Sequence, residues 1–420
     1  MRKRRMLGGL FAGLLLAGVH TGMIAAETEK EEYLQEVAEQ IVQGSNELGN
    51  YLTAKLSAEG DNVFISPYGI SMALSMLSSC SENGTHVDEL RLFLGYEGLT
   101  DEEIRNGHGW LIEEMKSESM YEDYSEEEKE EQGIGIVEIA NALYLSDRLD
   151  LIADQDELEE LFLEYQAEVG IKPLDTEETM QEINEWVSEK THEMIKSLLD
   201  EPMSQDTLMM LMNTIYFKGY WVNDFDERDT DTQIFYAPEQ EIEVDMMHQT
   251  DYFSYAETED YQIIHLPYHR GYQMQIYLPK DQHVYEQWSN VEHWEALHKE
   301  KYDLEYAKVA LSLPKFEMEF GAELTGLLQD MGLKGIFDAS LYDRISNDGL
   351  QTSCIIHKTA LSNDEYGTEA AAVTAIMLAG GAMVPEQTVE MVVDRPFYFT
   401  ITDYKNGVNL FEGCVFYPES

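Results

Sequence analysis

Basic residues are scarce in this chain, which has 27 Lys and Arg against 82 Asp and Glu and a formal charge of −55 at pH 7. The excess acid runs along the whole length, which disfavours nucleic acid as a partner. It describes a solvated, self-repelling surface that keeps a protein soluble and monomeric. Cysteine is as sparse, with only Cys80, Cys354 and Cys414. An odd count cannot pair completely within one chain, and each sits among apolar neighbours, so buried free thiols are expected. CxxC, HExxH and Cys/His clusters at ligand spacing are missing, and no metal or cofactor is expected. A GxSxG elbow and a glycine-rich phosphate loop are missing too, which argues against an enzyme. His265 and His269 are four apart, but Pro267 between them and strand-like surroundings argue against a helical ligand pair.

Long hydrophobic runs are confined to the start. Met1 to Arg5 is basic, Met6 to Val19 apolar, and Ile24, Ala25 and Ala26 small or apolar. This order describes a signal peptide over residues 1–26. The run falls short of the roughly 20 apolar residues that a membrane span needs. Removing it takes away Arg2, Lys3, Arg4 and Arg5 and no acid, so the mature charge is about −59. Export is expected, to the medium or retained at the cell surface. Beyond residue 26 there is no linker rich in Pro, Gly or Ser, so residues 27–420 read as a single domain. Apolar residues at 44% supply a large core.

Helical spacing is clear from Glu31 to Leu56, Pro67 to Leu77, Thr100 toward Met115, Glu157 to Val169, Thr176 to Leu199 and Glu323 to Met331. Tyr121 to Gln132 is almost wholly acidic and reads as an exposed loop. Ile134 to Leu145, Leu208 to Phe217, Tyr272 to Leu278, Lys308 to Phe320 and Thr352 to Ser362 read as strands. Helices mixed with long strands give an α+β fold.

Nine stretches appear in one order: NVFISPYGISMALSML from Asn62, IANALYLS from Ile139, INEWVSEKTHEMI from Ile183, NTIYFKGYW from Asn213, MMHQ from Met246, LPKFEMEF from Leu313, HKTALSNDEYGTEAAAVTA from His357, DRPFYFTI from Asp394 and FEGCVFYP from Phe411. In sequence and order the chain resembles a serpin, a secreted inhibitor of serine proteases, and a bacterial member is expected. The resemblance implies three β-sheets, about nine helices and an exposed reactive loop, here about 365–393. It implies a mechanism in which the target protease forms an acyl-enzyme with the loop and the cleaved loop enters the main sheet as an extra strand.

Such a strand must present small or apolar side chains on its inward phase. The hinge carried by the resemblance comprises Glu365, Gly367, Thr368, Glu369, Ala370, Ala371, Ala372, Val373 and Thr374. Alternate residues from Thr368 are Ala370, Ala372, Thr374, Ile376 and Leu378, and Glu369 falls on the solvent phase. A carrier or chaperone without inhibitory function would show bulk, charge or proline in the hinge, and no such residue stands on the inward phase before Pro385. In relatives the bond cut lies about sixteen residues beyond the hinge glutamate, which places it at Gly381–Ala382. The segment before DRPF is longer than usual by about four residues, so counting back from Pro396 gives a site near Pro385 instead. The forward count is preferred because the inserted strand has a fixed length. Met377, Leu378 and Met383 are the alternative bonds, and these would suit a chymotrypsin-like enzyme. No Lys or Arg stands between Glu365 and Arg395, which disfavours trypsin-like targets, and the small residues around Gly381 favour elastase-like or subtilisin-like ones.

The resemblance also places Ser66, Asn213 and His357 in the shutter beneath the main sheet, where polar groups bridge strands that must part. Gly69 stands where relatives carry serine, which puts that network's details in question. Lys315 and Glu365 match an exposed ion pair at the top of the sheet, near Trp221, expected to contribute about 0–1 kcal/mol. Acids in Asp101 to Met120 argue against a heparin-like polyanion cofactor.

Overall fold

The computed structural model describes residues 8–82, 84–117, 135–299, 302–337, 340–347, 349–350, 355–368 and 388–419. The chain opens with a helix, α1 (Gly8–Leu56), which begins well before the expected Glu31. Among the described residues no helix is long and apolar enough to cross a membrane. After β1 (Val63–Ile65) come α2 (Pro67–Ser79), α3 (Thr85–Phe93) and α4 (Asp101–Ser117). Pro67 opens α2 because its missing N–H costs nothing at a first turn, and the Ser66 side chain caps the Gly69 N–H at 3.1 Å.

Next stand β2 (Ile136–Ser146), α5 (Gln155–Leu161), β3 (Ala167–Lys172), α6 (Glu177–Lys190) and β4 (Met209–Tyr220). The run from Glu157 to Val169 is therefore a short helix and the start of a strand, not one helix. Gln166, at φ 51°, turns the chain between them. The long helix expected to Leu199 stops at Lys190, because His192 and Glu193 adopt positive φ and Asn184 caps the backbone of Leu198 and Leu199 instead.

The second half is dominated by strands: β5 (Asp231–Tyr236), β6 (Glu241–Glu257), β7 (Tyr261–Pro267) and β8 (Tyr272–Pro279). The short helices α7 (Gln282–Tyr285) and α8 (Val291–Lys299) precede β9 (Glu305–Pro314) and β10 (Phe316–Glu323). These last two occupy the run read as one strand from Lys308 to Phe320. Lys315 breaks it, and the halves join different sheets. After α9 (Thr325–Asp330) the chain forms β11 (Ser340–Leu341), β12 (Gly349–Leu350), β13 (Ile356–Asp364), β14 (Gly367–Thr368), β15 (Val389–Val392), β16 (Phe397–Asp403) and β17 (Val408–Val415).

Among the described residues these strands form three sheets. The larger runs β1-β17-β16-β8-β7-β6-β9-β15, with β5 beside β6, and β11 pairs β12. The main sheet runs β10-β13-β14-β4-β2-β3. One face of it carries α6 through Ile183, Trp186 and Val187, packed on Met210, Met212 and Tyr144. The other covers the principal core, to which α2 contributes Tyr68, Met72 and Met76. Each fully buried large apolar side chain contributes about 1.5–3 kcal/mol. Cys80 and Cys414 are buried free thiols, and Cys354 lies outside the described residues.

Candidate functional site: the centre and top of the main sheet

β14 is only two residues long, yet it stands between the long strands β13 and β4. Gly367 pairs with Asp364 and Tyr220, and Thr368 with Asn363 and Gly219. The chain reaches this position by reversing at Asp364, whose carboxylate accepts the N–H groups of Tyr366 and Gly367. Gly367 has φ +152°, and a Cβ there would lie 1.9 Å from the Gly219 carbonyl oxygen. Only glycine fits the approach. Thr368, 1% exposed, donates to or accepts from the Tyr268 hydroxyl at 2.6 Å. The first inward residue of the hinge is thus already a buried strand residue.

The top of the sheet is closed by aromatic and ionic contacts. Trp221 stacks on Tyr268 with ring centroids 4.2 Å apart, and its indole N–H donates to the Asp364 carbonyl at 3.1 Å. Its backbone N–H donates to Tyr366 O, and Phe225 N–H to Glu365 O. Lys315 Nζ lies 2.8 Å from Glu365 Oε2, and Thr230 donates to Oε1 at 2.8 Å. The pair is less exposed than the sequence suggested, for Glu365 is only 4% exposed. Burial alone would raise Glu365, but the hydrogen bonds from Lys315 and Thr230 outweigh it and hold the carboxyl below its ordinary value. Burial likewise disfavours the Lys315 ammonium, and the bond to Glu365 outweighs that, so Lys315 sits above its ordinary value. Asp224 is raised to about 6 by burial and by neighbouring Asp364.

At the centre, Ser66, Asn213 and His357 lie in two separate arrangements. Ser66 N–H donates to His357 Nε2 at 3.0 Å, so that nitrogen is an acceptor, and burial holds the imidazole down to about 4. Asn213 instead donates to Asn141 Oδ1 on β2 at 2.8 Å, and Asn141 donates to Tyr165 O at 2.7 Å. The expected bridge between β4 and β13 is not made by these side chains. Each braces its own side, His357 to the start of α2 and Asn213 to β2. Asn141 was not singled out from the sequence, although a lone amide inside the apolar strand IANALYLS was the available signal. The expectation at Gly69 has a spatial answer, because a Cβ there would lie 2.2 Å from Asn213 Oδ1.

Below β14, Met209, Leu211 and Asn213 on one side and Ile356 and His357 on the other line a small cavity facing α2. Met210, Met212 and Lys358 line a second one facing α6. Glu369, Ala370, Ala371, Ala372, Val373 and Thr374, and the candidate bonds at Met377, Leu378, Gly381, Ala382 and Met383, lie outside the described residues.

A family model described as Serpin (serine protease inhibitor) matches residues 43–418. An uncharacterized serpin-like protein of Thermococcus kodakarensis is 32% identical over 398 residues, covering 93% of this chain and 89% of that protein. Iripin-2 of Ixodes ricinus is 30% identical over 387 residues, covering 89% and 93%. Human thyroxine-binding globulin, solved with its hormone, superposes with a TM-score of 0.75 at 25% identity, over 92% of this chain and all of that one. The chain belongs to the serpin family. Its relatives here are archaeal and animal, which gives the expected bacterial source no support.

Proposed function

We propose that the chain is a secreted suicide-substrate inhibitor of serine endopeptidases. The observation that carries this reading is the burial of Thr368 between β13 and β4, paired on both sides, since it is the start of the strand that a cleaved loop would complete. A protease serine attacks the carbonyl of Gly381, the Gly381–Ala382 bond breaks with Ala382 leaving as the amine, and the acylated loop zips downward from Thr368 before water reaches the ester. The loop's small residues and lack of cations favour elastase-like or subtilisin-like targets. Export follows from residues 1–26, with the mature chain a monomeric domain that takes no metal and no polyanion. Mixing the mature protein with an elastase, a subtilisin, a chymotrypsin and a trypsin tests the reading. A covalent complex resistant to denaturing gel, with a new amino terminus at Ala382, is expected from one of the first two.

The alternative is a carrier without inhibitory function, and one observation favours it. A cavity of about 720 Å³ opens between α1, α8 and the larger sheet, lined by Asn46, Asn50, His265, Gln275, His298 and Tyr302. Thyroxine-binding globulin, a structural neighbour, was solved with thyroxine bound. Cleavage of the loop by every protease without any covalent complex, together with saturable binding of thyroxine as probe, would move the function to this reading.

A further inference from the structure

Asn363, on β13, is 2% exposed, and among the described residues neither its side-chain oxygen nor its nitrogen has a hydrogen-bond partner. The other inward residues of that strand are settled: His357 accepts from the Ser66 N–H, Thr359 donates to Phe64 O, and Leu361 is apolar and buried. A primary amide brings two donors and an acceptor, and leaving all of them dry is unfavourable unless a second arrangement uses them.

The strand registers supply that arrangement. Phe316 of β10, Asn363 of β13, Thr368 of β14 and Gly219 of β4 form one row across the main sheet. Tyr268 lies over the Gly219 end of the row: a Cβ on Gly219 would stand 2.8 Å from its ring, and its hydroxyl meets Thr368 Oγ1 at 2.6 Å. Asn363 is therefore the next side chain beyond the one that Tyr268 holds. β14 brings only Gly367 and Thr368 to the ladder. If these two withdraw, Tyr268 loses its partner and β4 is left facing β13. Both strands are antiparallel to β14, hence parallel to each other. Closing the gap by one strand spacing, about 4.8 Å, carries Asn363 into the place of Thr368.

We propose that Asn363 is the stand-in for Thr368: with the hinge in the sheet Tyr268 bonds Thr368 and the amide waits unpaired, and with the hinge out the sheet closes and the amide takes the Tyr268 hydroxyl. Tyr268 then has a partner in both arrangements, and the choice between them is a two-state equilibrium of the top of the sheet. An apolar residue at 363 leaves Tyr268 unpaired whenever the hinge is out, and so biases the hinge inward. This exchange belongs to the uncleaved chain and needs no protease.

Hydrogen exchange of the mature, uncleaved chain, read by mass spectrometry on the peptide that carries Gly367 and Thr368, reports how often the hinge leaves the sheet. T368V takes the Tyr268 bond from the inserted arrangement alone and should speed exchange there roughly two- to tenfold, the worth of one neutral hydrogen bond. N363L takes the bond from the closed arrangement alone and should slow exchange by at least roughly twofold. In a Y268F background the N363L effect should vanish, and Y268F by itself should leave exchange within about twofold of wild type, because it removes one bond from each arrangement. An N363L effect of equal size in both backgrounds would show an amide that is merely unpaired and overturn the proposal, as would no effect in either. Should N363L fail to fold, N363A takes its place in the same cycle. A marked change with Y268F alone overturns the proposal without any variant at 363. These readouts are conformational, so they stand or fall separately from protease inhibition.

Discussion

Gly69 and Asn213 compete for one space: a Cβ on Gly69 would lie 2.2 Å from the Asn213 amide oxygen and 3.0 Å from Ser66 Oγ. The missing side chain on α2 is what lets Asn213 lean off β4 and keep its 2.8 Å bond to Asn141. Gly69→Ser should displace that amide and cost about 1–3 kcal/mol, the usual range for overpacking a filled core. A lowered thermal midpoint, partly restored by N213A in the double variant, is the expected result. Additive losses would show that the two residues do not compete.

Thr368 tests the strand slot directly. An arginine there would have to enter the main sheet where threonine is 1% exposed and bonded to Tyr268. T368R should still be cleaved in the loop at the wild-type rate while the yield of covalent complex falls by at least on the order of tenfold, because an unpaired charge cannot be buried cheaply. Titrating inhibitor against protease gives the partition. Y268F removes only one hydroxyl and should cost about 0.5–1.5 kcal/mol with little change in that partition.

K315M leaves Glu365 with Thr230 and no cation, and should cost about 1–3 kcal/mol at neutral pH. Glu365 is held below its ordinary value and Lys315 above its own. The pair's contribution is therefore present between the ordinary glutamate value of 4.5 and the ordinary lysine value of 10.5. It is lost as pH falls through the folded Glu365 value, and again as pH rises through the folded Lys315 value. Denaturant titrations of both proteins should converge in strong acid. A constant gap across pH would assign the loss to packing.

His357 bears on the acid side. Its folded value of about 4 lies below the ordinary 6.5, so stability is lost as pH falls from 6.5 toward 4, by about 1–3 kcal/mol through this group near pH 5. H357L should lower stability at neutral pH by unpairing the Ser66 N–H, and flatten the acid slope in part, since buried His108, His265 and His298 are lowered as well. A thermal series on the wild type and H357L from about pH 4 to about pH 8 checks the change in slope.

The ordered motifs made the α+β fold legible, and the inward side chain of Thr368 was readable because strand alternation is a local property. Contacts that depend on chain crossings were not. Lys308 to Phe320 looks continuous in hydropathy, yet Lys315 is where the chain leaves one sheet for another, and nothing in a single strand says which neighbour it will find. Asn213 and His357 are conspicuous as polar residues in apolar strands, but their partners, Asn141 and the backbone of Ser66, come from β2 and from the start of α2. Glu412 was hidden for the opposite reason. In FEGCVFYP it reads as one more acid in an acidic chain, and only the packing of α1 over β17 buries it, with its oxygens accepting from Asn409 and Thr53.

If the chain traps proteases as proposed, the two-residue strand β14 changes what kind of process the trap must run. Its ladder with β13 and β4 is in register before any bond in the loop is cut, so the slowest part of forming a new strand, finding the alignment, is over in the resting protein. What would remain after cleavage is propagation, one rung at a time, from a seed that already has its direction. Under the proposed inhibitory mechanism, the race against the protease is decided by rung-by-rung growth from that seed.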